Sequence, residues 1–145
     1  MGNKEKGSKA ERELYDMFVE NSFRAVRVAG SGMAENTACD LIAGKVGKKY
    51  CIEVKSSKKP CKYISKKQIE EFIIFAEIFG LEPIIALRFN REGWFFIKPK
   101  NLEASKSKDF DSAQKSGIFD NSGKNWVISL EKARKKGKRF GQAFS

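Results

Sequence analysis

The sequence predicts an α/β domain, on three observations: apolar stripes at helical spacing, short Val-, Ile- and Phe-rich runs between them, and a length of 145 residues that suits one core. The first helix is read from Lys9 to Val19, with Ala10, Leu14, Met17 and Phe18 on one stripe. Ser8 and Glu11, three residues apart, match a capping box at its start. Phe23–Val28 alternates as a strand that turns Arg24 and Arg27 toward solvent or phosphate. Small polar residues from Ala29 to Thr37, including Gly30-Ser31-Gly32, mark a loop.

Cys39–Ala43 and Tyr50–Lys55 follow as two short strands, joined as a hairpin through Gly44–Lys48. Lys58, Lys59 and Lys62 populate the next loop. Ser65, with Gln68 three positions on, opens a second helix that runs to about Phe79 and stops at Gly80. Ile69, Phe72, Ile73 and Ala76 form one stripe of this helix, and Ile74, Phe75, Ile78 and Phe79 carry the apolar surface around most of its circumference. Such a helix is buried on more than one side, which in a small domain makes those four residues candidates for a dimer interface. Ile84–Phe89 and Trp94–Ile97 are strands bridged by a turn at Asn90–Gly93. Residues 103–125 read as a surface excursion, after which Trp126-Val127-Ile128 returns to the core. The basic segment 130–145 has two readings, a short helix from Leu130 to Arg139 or a flexible lysine-rich tail.

Composition narrows the function. The chain is 41% hydrophobic, too apolar for general disorder, yet its longest apolar runs fall far short of a membrane span. No signal core opens the sequence, so a cytoplasmic protein is expected. Lys and Arg outnumber Asp and Glu by 29 to 18, and a net charge of +11 favours a polyanionic partner such as nucleic acid. The three cysteines lack CxxC spacing, which suggests neither a disulfide framework nor a thioredoxin-like motif. The absence of histidine removes imidazole-based hydrolysis from consideration. Catalysis must run on carboxylates and lysine, with or without a metal.

One constellation supplies those groups. Glu53 and Lys55 lie two apart on a strand and project together, while Ile52 and Val54 face the other way. If Asp40 begins the preceding antiparallel strand, its carboxylate converges on the same patch. Two hard oxygen ligands beside an ammonium suit a divalent cation and the hydrolysis of a phosphodiester. Lys55 can orient the attacking water or stabilise the charged transition state.

The order of Glu11 on a helix, Ser31 in a loop, then Asp40, Glu53 and Lys55 resembles the PD-(D/E)xK nuclease core, and more closely the archaeal Holliday junction resolvases. Lys6-Gly7-Ser8 through Glu11-Arg12, Ile52-Glu53-Val54-Lys55-Ser56-Ser57 and Trp94-Phe95-Phe96-Ile97-Lys98-Pro99 carry the resemblance, over roughly residues 4 to 102. It implies a restriction-endonuclease-like fold with a central mixed β-sheet flanked by helices. It also implies a homodimer and magnesium-dependent cutting of four-way DNA junctions by paired nicks, with manganese able to replace magnesium. Asp40 and Glu53 would bind metal, Glu11 would add a third carboxylate, Lys55 would assist the water, and Ser31 would act near the scissile phosphate. Cys39 stands where the superfamily name promises proline. Lys4, Lys6, Lys9, Arg24, Arg27, Lys58, Lys59 and Lys62 flank the site in sequence as candidate DNA contacts. Glu11 retains its capping reading and Ser31 that of a plain loop residue. Another endonuclease of this superfamily, an RNA-directed nuclease and a non-catalytic nucleic-acid-binding protein are the competing functions.

Overall fold

The computed structural model describes residues 3–28, 39–102 and 124–145, with side chains from residue 9 onward. In chain order the elements are α1 (Asn3–Glu20), β1 (Arg24–Arg27), β2 (Leu41–Lys45), β3 (Lys48–Ser57), β4 (Cys61–Ser65), α2 (Lys66–Phe79), β5 (Glu82–Phe89) and β6 (Gly93–Ile97). A 3₁₀ turn (Pro99–Leu102), β7 (Asn125–Ser129), α3 (Leu130–Lys136) and α4 (Phe140–Ala143) complete it.

Strand β3 sits at the centre because both of its faces are apolar over Tyr50–Ile52. It pairs antiparallel with β2 and parallel with β5, in a five-stranded sheet ordered β1-β2-β3-β5-β6. The sheet is therefore mixed, as the resemblance implies. A parallel neighbour cannot be reached by a tight turn, and β4 with α2 forms the crossover. Alternation along the strands divides the core in two. Leu41, Ala43, Tyr50, Ile52, Ile84, Ala86, Trp94 and Phe96 pack with Leu14 and Phe18 of α1. On the other face, Cys51, Ile85, Leu87, Phe95 and Ile97 pack with Ile69, Phe72 and Ala76 of α2.

Helix α2 begins and ends where the sequence places it. The Ser65 hydroxyl accepts the Gln68 amide at 3.3 Å, and Gly80 closes the helix at φ 66°, a left-handed conformation that glycine adopts without strain.

Three expectations are corrected. Helix α1 starts at Asn3 rather than Lys9, so Ser8 lies inside the helix and is no cap. Good helix formers at Lys4, Glu5 and Lys6 outweigh Gly7, whose helical penalty is only about 1 kcal/mol. The stretch read as a lysine loop contains β4, which pairs antiparallel with β7 as a ribbon separate from the main sheet. The tail reading of residues 130–145 also fails. Helix α3 ends at Gly137, short of the expected Arg139, and Phe96 and Lys138 exchange backbone hydrogen bonds at 2.9 Å in both directions. Phe144 then packs against Phe18, Phe96 and Tyr50 with ring centroids 4.9–5.0 Å apart. Most of the excursion expected over 103–125 lies outside the described residues; its end, from Asn125, already belongs to β7.

Candidate active site

Leu41 pairs with Ile52 at the end of the β2–β3 register, and just before it the Asp40 and Glu53 carboxyls come within hydrogen-bonding reach of each other. Asp40 is held by its backbone on both sides: its amide donates to the Ile52 carbonyl at 3.0 Å and its carbonyl accepts from the Val28 amide at 2.9 Å. Its carboxylate accepts the Val54 amide at 2.7 Å, which fixes the side chain as well.

Glu53 is 6% exposed, an unusual place for a carboxylate. Burial, then hydrogen bonding to Asp40 and the charge of Asp40, pushes its carboxyl up to about 9, against the smaller opposing pull of Lys55. Lys55 projects from β3 on the same side, and its Nζ donates to Gln68 Oε1 at 3.0 Å. The helix-start pattern places Gln68 at the cap of α2 alone. The backbone half of that reading holds, but the side chain turns to Lys55, and the helix-start pattern cannot distinguish the two directions.

Glu11 comes from α1, on the far side of the sheet, at the end where β1 stops and β2 begins. With Ser8 inside the helix, the capping-box reading of Glu11 falls away. Its Oε2 instead accepts from Arg27 Nη2 at 3.4 Å. Burial first, then the charge of and hydrogen bonding to Asp40, raise its pKa, while Arg27 lowers it. Asp40 thus interacts with both glutamates.

This donor set fits a hard divalent cation. The two glutamates are raised by burial and by a neighbouring carboxylate, and a divalent cation would offset the repulsion among the three carboxylates. Among the described residues no three ligating side chains close into a preformed cage. Magnesium does not require one, since it takes one or two carboxylates and completes its shell with water and phosphate.

The remaining candidates separate by position. Arg27 borders the site through Glu11, whereas Arg24 pairs with Gly44 at the opposite end of β1. Lys58 and Lys59 are exposed on the β3–β4 connection, Lys62 is half-buried on β4, and Lys9 is exposed on α1. Ser31 lies outside the described residues, and for Lys4 and Lys6 only the helical backbone is described. On α2, Ile74, Ile78 and Phe79 are exposed, at 55%, 74% and 61%, and Phe75 stacks on Phe79 with centroids 4.5 Å apart. Among the described residues no helix is long and apolar enough to cross a membrane.

The chain as a whole is similar to known proteins. The family model described as archaeal Holliday junction resolvase (Hjc) matches residues 2–119, well past Leu102, where the sequence alone showed little to match. The crossover junction endodeoxyribonuclease Hjc of Archaeoglobus fulgidus is 33% identical over 141 residues, covering 97% of this chain and 96% of that relative. Its namesake from Methanocaldococcus jannaschii is 44% identical over 94 residues, covering 65% of this chain and 66% of the relative. The crystal structure of A. fulgidus Hjc, a Holliday junction resolvase, is similar with a TM-score of 0.71 and 27% identity, over 91% of this chain and 93% of that one.

Proposed function

The chain belongs to the archaeal Holliday junction resolvase family, and from that membership we propose that it is a magnesium-dependent endonuclease that nicks four-way DNA junctions in pairs, as a homodimer, in the cytoplasm. The observation that carries this reading is the meeting of the Asp40 and Glu53 carboxyls beside the start of β2, with Lys55 two residues along β3 from Glu53.

Asp40 and Glu53 would hold the cation, with Glu11 close to Asp40 as a further carboxylate. When bound, magnesium, or manganese in its place, supplies a Lewis-acid charge that eases deprotonation of an attacking water and neutralises charge developing on the phosphate. The chain's own residues do the rest. The Val54 amide fixes the Asp40 carboxylate so that it need not reorganise when substrate arrives. Lys55, held by Gln68, presents an ammonium beside Glu53 and can orient the water or meet the charge of the transition state. Arg27 restrains Glu11 and adds positive charge at the rim.

A labelled four-way junction incubated with the pure protein and magnesium, beside duplex and single-stranded controls, tests the proposal. Paired nicks in the junction alone are expected, and they should vanish in Lys55→Ala. Equal cutting of plain duplex would favour a general endonuclease instead.

The exposed apolar side of α2 supports a twofold dimer, since one site per chain has to become two for paired cutting. Ile74, Phe75, Ile78 and Phe79 would form its contact.

A further inference from the structure

Lysines 58, 59 and 62 look alike in sequence, but the structure separates them. On β4, Lys62 and Ile64 are two residues apart and project from one face of the ribbon. Ile64 is 1% exposed, and the β7 residues opposite the pair, Ile128 and Trp126, pack into the α2-side core. Lys62 therefore aims inward. Tyr63, on the other face, is 40% exposed, as expected for the outer side.

The same ribbon is tied to the catalytic strand. Ser57 Oγ donates to the Cys61 carbonyl at 2.8 Å, joining the end of β3 to the start of β4. Lys55, two residues before Ser57, projects from β3 toward this side, where it meets Gln68 of α2. Burial disfavours the Lys62 ammonium, and the nearby charge of Lys55 disfavours it further. Among the described residues none of the ion pairs includes Lys62. Glu53, on the strand beside it, is already engaged with Asp40.

Lys55 near the end of β3 and Lys62 near the start of β4, strands tied together at Ser57 and Cys61, put two ammonium groups on the α2 side, and with no acidic partner for Lys62 among the described residues they make a place for an anion. A backbone phosphate has two non-bridging oxygens, one for each lysine, and lysine binds phosphate as a point charge. We propose that Lys62 and Lys55 clamp one backbone phosphate of the strand being cut, so that Lys62 sets the position of that strand for hydrolysis rather than adding general attraction for DNA. This clamp rests on the junction-nuclease reading above. Lys58 and Lys59, exposed on the β3–β4 connection, supply the general attraction.

The test is single-turnover cutting of a four-way junction at saturating protein and magnesium. Lys62→Met should lower the saturating rate about 10- to 100-fold, the scale expected when a reacting group is misplaced by an ångström. Lys62→Arg should restore most of it. Lys58→Met and Lys59→Met should chiefly raise the protein concentration needed to saturate the junction.

A neutral methylphosphonate placed singly along the cut strand supplies a readout that a structural role would not move. At one position it should slow the wild-type protein as much as Lys62→Met does, and slow Lys62→Met no further. An unchanged saturating rate in Lys62→Met, or methylphosphonate penalties that multiply with the variant at every position, would overturn the clamp. Failure of the wild-type protein to cut the junction would instead overturn the nuclease reading.

Discussion

Glu53→Gln should make the metal-free protein more stable while destroying its proposed activity. In the fold the Glu53 carboxyl is pushed up to about 9, whereas an exposed glutamate ionises near 4.5. The folded chain at neutral pH thus keeps a proton that the unfolded chain releases. Below pH 4.5 both states are protonated and the group costs nothing; from there to pH 9 the penalty grows by about 1.4 kcal/mol per pH unit, then levels off. At pH 7 it reaches about 3 kcal/mol. Glutamine cannot ionise, and its amide N–H can take the place of the carboxyl O–H toward Asp40. The variant should melt roughly 6–12 °C above wild type at pH 7, at about 2–4 °C per kcal/mol for a chain near this size. Calorimetric or circular-dichroism melts in a chelator at pH 5, 7 and 9 read the effect as the difference between the two proteins. That difference should be small at pH 5 and largest at pH 9. Magnesium should narrow it by stabilising wild type, increasingly so as pH rises and the carboxyl yields its proton to the cation. A variant no more stable than wild type at pH 9 in chelator would refute the account of Glu53 as a strained, cation-seeking carboxyl.

Other outcomes follow from the same structure. Asp40→Asn should abolish junction cutting and retain binding, because the amide is a weaker metal ligand of the same shape; gel-shift and cleavage assays on one preparation would show it. Junction affinity should fall by orders of magnitude between about 50 and 200 mM salt if several phosphates are neutralised, and a flat titration would remove backbone electrostatics as the main attraction. Ile78→Glu on the exposed side of α2 should give folded monomers in sedimentation that no longer make paired nicks, whereas unchanged mass would place the dimer contact elsewhere. Gly80→Ala should cost about 1 kcal/mol in chemical denaturation, since φ 66° strains any residue with a Cβ.

Local pattern made the centre of the site legible. Glu53 and Lys55 lie on one strand of a hairpin and Asp40 just before the other, so their convergence could be worked out from a short stretch of sequence. The stripe and caps of α2 were equally plain. What stayed hidden depends on partners remote in sequence. Strand β4 is short, follows Pro60 and carries Lys62, and its pairing partner begins only at Asn125. Phe140 and Phe144 sit in a basic, glycine-containing stretch that resembles a tail until Phe18 and Phe96 are found beside them. Gln68 and Glu11 each had a local capping role available, and only the fold shows their side chains turned to Lys55 and Arg27.

The contact of Phe144 with Phe18 joins nearly the whole length of the chain, from the first helix to residue 144. The α1-side core therefore cannot be finished during synthesis until residue 144 has been made. Chain elongation proceeds at about 5–20 residues per second, so α1 waits several seconds with Phe18 uncovered on that side. The hairpin that carries Asp40 and Glu53 has its local pairing available long before then. Glu11, in contrast, rides on α1 and reaches its place beside Asp40 only as that helix seats. The third carboxylate thus depends on the seating of α1, a helix whose packing is completed by an aromatic residue far from the site.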